Sequence, residues 1–246
     1  MSPLAISLIA FCIIFGGALV GSLLPGYRLP EGTKDVVRLG AGLMGTIAGL
    51  VLGLLIGSAN SSYETQSNQV RQMTAEVILL DNLLGQYGPE TQKVRALLRA
   101  SIRPFVEHVW TTGSDASEPF KATATGEVLY LLLDRLEPQD DSQRSIKTRA
   151  LAIYVELAQT RLLLQQRAHS SIPMPFLVVL VAWLAIIFCS FGLFSQHHYS
   201  VLIALFVFAL SASGALFLIL ELTHPFSGLM QVPKEPVLNA LAPLGN

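Results

Sequence analysis

Hydrophobic and polar positions divide the chain into blocks. Four uncharged stretches, Leu4 to Leu24, Leu39 to Tyr63, Phe176 to Ser195 and Ser200 to Leu220, come in two pairs, separated by a polar segment from Ser58 to Ile172. Each stretch is near or above the ~20 residues a helix needs to cross a bilayer. The pattern predicts an all-α membrane protein with four transmembrane helices in two hairpins, and a helical domain formed by extensions of the spans. The expected division is a first hairpin over 1–57, the helical domain over 58–172, a second hairpin over 173–222 and a C-terminal tail over 223–246.

The second span has no stop signal where it meets the polar segment. Ser58, Ala59, Asn60, Ser61 and Ser62 include no proline, and the next Gly-Pro is Gly88-Pro89. The helix is expected to run on into water with a heptad stripe: Tyr63, Val70, Val77 and Leu84 in one row, Gln66, Met73, Leu80 and Tyr87 three residues behind each. Such a stripe faces a core or a partner. Gly88 then reads as the C′ glycine and Pro89 as the breaker. Further amphipathic helices are expected over Glu90 to Trp110, with Pro104 inside, over Glu127 to Leu136, and over Asp140 to His169, where Ile146, Ala150, Ile153, Leu157 and Leu164 recur at helical spacing. The segment Thr111 to Pro119 reads as a loop. Pro173 and Pro175 interrupt the last of these helices at the membrane, and Pro225 ends the fourth span near Thr223. Phe226, Leu229 and Met230 are placed to fold back to the interface.

Composition agrees with a membrane protein: 52% of residues are hydrophobic and 13% charged. The segment 58–172 holds 12 Lys/Arg against 13 Asp/Glu, and the net charge of the chain is -1, so electrostatic capture of nucleic acid is not expected. Leu4 to Leu24 is kept as a span, because no Lys or Arg precedes it and Leu23-Leu24-Pro25-Gly26-Tyr27 is a poor cleavage site. The two cysteines, Cys12 and Cys189, fall within spans, which removes a disulfide framework or thiolate metal site in the polar domain. Arg71, Arg161, Arg167 and Lys234 near the span ends on one side balance Arg28, Lys34 and Arg38 on the other, too evenly for charge to set orientation. The middle domain and both termini are placed in the cytoplasm, because translocating so large a polar segment without a cleavable signal is the harder route.

Within the second span Ala41, Gly45, Gly49, Gly53 and Gly57 recur every four residues. A helix-interior glycine costs about 1 kcal/mol against alanine, so the row needs a reason. Small residues let a second backbone approach in lipid, either from the same subunit or across a subunit seam, and a ligand pressed on the helix is the third reading. Were the seam between subunits, the opposite face, Leu43, Ile47, Leu50, Leu54, Ser58 and Ser61, would look into a central pathway as an apolar constriction opening onto hydroxyls, a form suited to gating by dewetting. Glu221, ending the fourth span, is expected to need a partner against the helix dipole, from Arg71, Arg161 or Arg167, with His224 one turn away; a structural clamp with Pro225 and Phe226, or a gating or proton-coupled site, are its roles. Arg95, Arg99 and Arg103 form a basic row that reads as a solvated face, a lipid-headgroup contact or a subunit interface. Glu221-x-x-His224 has no second copy, and His108, His169, His197 and His198 lack zinc spacing. With no phosphate loop or nucleophile elbow, neither enzyme chemistry, a metal nor a cofactor is expected.

VLGLLIGSANSSYETQSNQVRQMTAEVILLDNLLGQYGP after the second span, SSIPMPFLVVLVAWLAIIFCSFGLF across the third and FLILELTHPFSGLMQV at the fourth resemble the bacterial bestrophin-like domain family. Thr223-His224 departs from the acid-base pair usual there. In layout the chain is more distantly similar to bestrophins, pentameric anion channels with four spans and a helical cytosolic domain. The resemblance implies a homo-oligomer, a pentamer, that passes small inorganic anions across the lipid bilayer. The rival expectation is a non-conducting scaffold or sensor that recruits a partner through its helical domain.

Overall fold

A computed structural model of the chain describes residues 2–24, 30–111, 122–167, 174–194, 199–226 and 228–242. These form eight α-helices and no strand: α1 (Pro3–Leu23), α2 (Glu31–Tyr87), α3 (Gln92–Thr111), α4 (Ala122–Asp134), α5 (Asp141–Arg167), α6 (Met174–Phe194), α7 (Tyr199–Leu222) and α8 (Glu235–Leu241). By length and composition α1, α2, α6 and α7 can cross a membrane. Arg28, the Ser171–Pro173 interruption, most of the Thr111–Pro119 loop, His169, His197 and His198 lie outside the described residues, as do the side chains of Arg103, His108 and Arg167.

The chain divides into two compact units, Met1–Ser62 with Ser171–Thr223 and Tyr63–Ser170 with His224–Asn246. In the first, α1 packs on α6 and α7. Ala10, Ile14 and Ala18 of α1 are buried among Leu180, Ile187 and Phe188 of α6 and Ala209 and Leu216 of α7. Three glycines make the α1–α6 contact possible. A Cβ on Gly17 would lie 2.7 Å from the Ala185 carbonyl oxygen, one on Gly21 would collide with the Cys189 carbonyl, and one on Gly192 with that of Ala18. This is the close backbone packing by which helices associate in lipid. The buried Ser213 hydroxyl adds a hydrogen bond from α7 to the Ser7 carbonyl of α1 at 2.6 Å, and Phe206 meets Phe11 and Phe15 edge-on at 5.4 Å.

In the second unit the heptad stripe of α2 faces the unit's own core. Leu80, Leu84 and Tyr87 are buried with Val94 and Leu98 of α3, Leu129 and Leu133 of α4, and Ala150 and Ile153 of α5. Val70 and Met73 join Val106, Leu164, Phe226, Val237 and Leu241 in a second cluster. Helix α2 is unbroken over 57 residues and ends where the sequence predicts. Gly88 takes φ 137°, which L side chains rarely adopt. The Thr91 hydroxyl reaches back to the Leu84 and Gly88 carbonyls at 2.5 and 2.8 Å, and the Gln143 side chain donates to the Tyr87 carbonyl at 3.0 Å.

Helix α2 starts at Glu31, eight residues before the uncharged stretch at Leu39, and α4 ends at Asp134 and not Leu136. Helix α4 starts five residues early, at Ala122, and the tail carries a helix, α8, that its short apolar content does not announce. Leu229 and Met230 are exposed while Phe226 is buried in the second unit's core.

Candidate functional site

The membrane stretch of α2 is the least covered of the four. Only 11% of it is buried, against 28% for α1 and α7 and 39% for α6. Ala41, Ala48 and Ala59 are its buried positions, with Met44, Val51, Leu52 and Leu55 packed partly on the first unit's core. The candidate pathway face is open: Leu43, Ile47, Leu50 and Leu54 are 65%, 41%, 69% and 76% exposed, and Ser58 and Ser61 are exposed below them. The six fall on one face because steps of three and four residues approximate the 3.6-residue turn.

The glycine row is open as well. A Cβ added at Gly45, Gly49, Gly53 or Gly57 would meet nothing within 4 Å. Ala41 alone of that row is buried. Gly45 and Gly49 border a groove of about 520 Å3 whose other wall is Leu180, Leu184, Ile187 and Phe191 of α6. Arg38, at the other end of the stretch, lies 5.3 Å from the centre of the Phe194 ring, a cation–π contact.

The expected clamp residues fall in different units. Glu221 is buried in the last turn of α7, and the Thr223 hydroxyl donates to the Leu220 carbonyl at 2.7 Å. Pro225 and Phe226 are buried in the second unit and His224 is half-buried. There the anchor is aromatic. Phe226 meets the Trp110 ring edge-on at 5.4 Å, Trp110 Nε1 donates to the Val232 carbonyl at 2.8 Å, and Val232 N–H donates to the Pro225 carbonyl at 2.8 Å.

The basic row is not simply a solvated face. Arg95 and Arg99, one turn apart on α3, both fork onto Asp81 of α2, with Nε to Oδ1 at 3.1 Å in each and Nη2 to Oδ2 at 2.8 and 3.0 Å. Asp81 is 1% exposed. Burial works against its charge, yet the hydrogen bonds and charge of Arg95 and Arg99 hold the carboxyl below the usual range. A second acid on α2 has the reverse setting. Glu76 is buried, its Oε1 accepts from Gln72 Nε2 at 2.8 Å, and its Oε2 has no partner among the described residues. Burial pushes the Glu76 carboxyl up, the Gln72 hydrogen bond opposes this, and Glu156, which shares the Gln72 amide at 3.2 Å, adds to it.

The bestrophin-like domain profile matches residues 8–237. The chain belongs to that family. Crystal structures of a bacterial bestrophin homologue from Klebsiella pneumoniae, each with a single point mutation, share the fold. One gives a TM-score of 0.68 at 12% identity, covering 98% of this chain and 99% of that one; another gives 0.66 at 12% identity, covering 99% of both. No curated protein matches the chain. Periodicity in this bestrophin-like sequence points to the open α2 face. It does not point to Asp81, Glu76 or the Gly17, Gly21 and Gly192 contact. Asp81 carries one signal, an acid between Leu80 and the Leu83-Leu84 pair inside an apolar run, which marks a buried charge in need of a cation.

Proposed function

We propose that copies of this chain assemble about α2 into a ring, a pentamer, that forms an ion channel in the bacterial inner membrane. The observation that carries this reading is the exposed face of α2 on which Leu43, Ile47, Leu50 and Leu54 pass into Ser58 and Ser61, together with a glycine row at which an added Cβ would meet nothing. A bare glycine row suits a helix from a neighbouring copy, and the leucine row then faces the axis. Four apolar rings followed by Ser58 and Ser61 make a constriction that conducts when wet and closes when it dewets. The rows carry no charge, so anion preference rests on likeness to bestrophins. The second unit and both termini lie in the cytoplasm. No catalytic role, metal or cofactor is assigned.

The test is planar-bilayer recording of the purified chain. A conductance that disappears in Leu54→Trp and grows in Leu54→Ser supports the reading, and a silent wild type with an intact ring overturns it. The channel reading is preferred to the scaffold reading because Leu80, Leu84 and Tyr87 of the heptad stripe pack into the core of their own chain.

A further inference from the structure

In the first unit the groove of about 520 Å3 between α2 and α6 has a shape that invites an occupant. Its size falls in the ~300–1,000 Å3 range of small-molecule sites. Along α2 it extends from Ala41 to Leu52, along α6 from Phe191 back to Leu180, with Gly45 and Gly49 between. At 1.5 Å per residue that is a length of about 16 Å on either helix. One leaflet of a hydrocarbon core ~30 Å thick has the same depth. The wall is apolar apart from Thr46, whose hydroxyl donates to the Gly42 carbonyl at 3.1 Å, so no side chain in the groove asks for a polar occupant. Gly53 and Gly57 lie past its end and stay open to a neighbouring copy.

One end of the groove carries a charge. Arg38 stands one turn before Ala41 and Gly42 on α2, and its guanidinium lies 5.3 Å from the centre of the Phe194 ring, one turn past Phe191 on α6. Phe194 is the last residue of α6, and the uncharged stretch of α2 starts at Leu39, so this contact marks the edge of the hydrocarbon. An aromatic ring attracts the charge and offers its N–H groups no oxygen. Among the described residues no hydrogen bond or ion pair takes those groups either, and the side chain is exposed. A guanidinium carries five donors in a planar fork that fits a phosphate edge.

We propose that the groove holds an acyl chain of an anionic phospholipid whose phosphate stands on Arg38. Groove and acyl chain both have the depth of one leaflet, and the phosphate meets the cation at the level where head groups lie. A net negative head group is preferred to phosphatidylcholine, whose own quaternary ammonium offsets the phosphate charge that Arg38 attracts. The lipid site is independent of whether the chain conducts.

The chain has two tryptophans, Trp110 and Trp183. Phe191→Trp combined with Trp183→Phe puts a reporter on the groove of the full chain in lipid nanodiscs, and Trp183→Phe alone supplies the Trp110 background. Phosphatidylglycerol with brominated acyl chains is expected to quench the reporter with a preference of about fivefold over brominated phosphatidylcholine, which is what one interfacial arginine adds for an anionic lipid. Arg38→Gln is expected to bring the two lipids level, and Arg38→Lys to keep most of the preference. Gly49→Phe, which fills the groove, is expected to remove it too; an added Cβ there meets nothing within 4 Å, so the chain has room for the change. Equal quenching by the two lipids on the parent reporter overturns the proposal. So does a preference that survives Arg38→Gln, or one that survives Gly49→Phe and so belongs to lipid outside the groove. Weak quenching by both lipids, with a lower particle mass in Gly49→Phe, gives the groove to a neighbouring copy and overturns it as well. Should Gly49→Phe fail to fold, the two lipids compared with and without Arg38→Gln decide alone.

Discussion

At the scale of residues, Asp81 and Glu76 sit five positions apart on α2 and respond to acid in opposite senses. Asp81 has a depressed pKa, so its contribution is present above the ordinary carboxylate range and is lost as pH falls through the folded value. Glu76 has a raised pKa, so its buried charge weighs against folding at neutral pH, and that penalty lifts as pH falls through the raised value. The melting temperature of the purified protein is expected to rise on mild acidification and to fall on going lower. Glu76→Gln should remove the rise, and Asp81→Asn should flatten the fall. At neutral pH Asp81→Asn leaves two guanidiniums without their counter-charge and should cost about 3–5 kcal/mol, as breaking a buried ion pair does. Arg95→Gln should cost less, since Arg99 still holds both carboxylate oxygens. A thermal melt that ranks Arg95→Gln below Asp81→Asn in stability would refute this division of labour.

At the scale of elements, two sets of glycines do different work. Gly21 and Gly192 have carbonyls where a methyl group would go. Gly21→Ala and Gly192→Ala are therefore expected to push α1 off α6 and to cost at least the ~1–3 kcal/mol of an overpacked core, read as a lower melting temperature. Gly53 meets nothing within its own chain. Gly53→Leu should leave the single chain folded, with its helical circular dichroism intact, and reduce the particle mass in detergent if a second copy lies there. Unchanged mass would remove the seam. Spacing in the sequence singles out the second set, because four glycines at a regular interval stand above background while Gly17, Gly21 and Gly192 do not. The α2 stripe was legible for the same reason: Leu80, Leu84 and Tyr87 repeat with the helix. The Asp81 grip was not, because its cations lie 14 and 18 residues away on another helix, and periodicity along one helix says nothing about which charges on a second will reach it. Helix α8 escaped notice because seven residues hold too few turns for a periodic signal.

At the scale of the whole molecule, the question is what covers α2. An exposed membrane helix finds lipid as good a solvent for leucine as protein, so exposure of Leu50 and Leu54 by itself favours neither. The serines break the tie. Ser58 and Ser61 continue the leucine row on the same face, and hydroxyls in that position gain from water and gain nothing from acyl chains. A row that passes from apolar to polar along one face suits an axis that opens into water. If so, making one ring of the constriction polar keeps it wet. Leu50→Ser is expected to raise the open probability severalfold and to leave the reversal potential in a chloride gradient where it was, because a hydroxyl lowers the dewetting barrier without adding charge. A reversal potential that moves with Leu50→Ser would place the selecting group at that ring, and an unaltered conductance would take Leu50 out of the pathway.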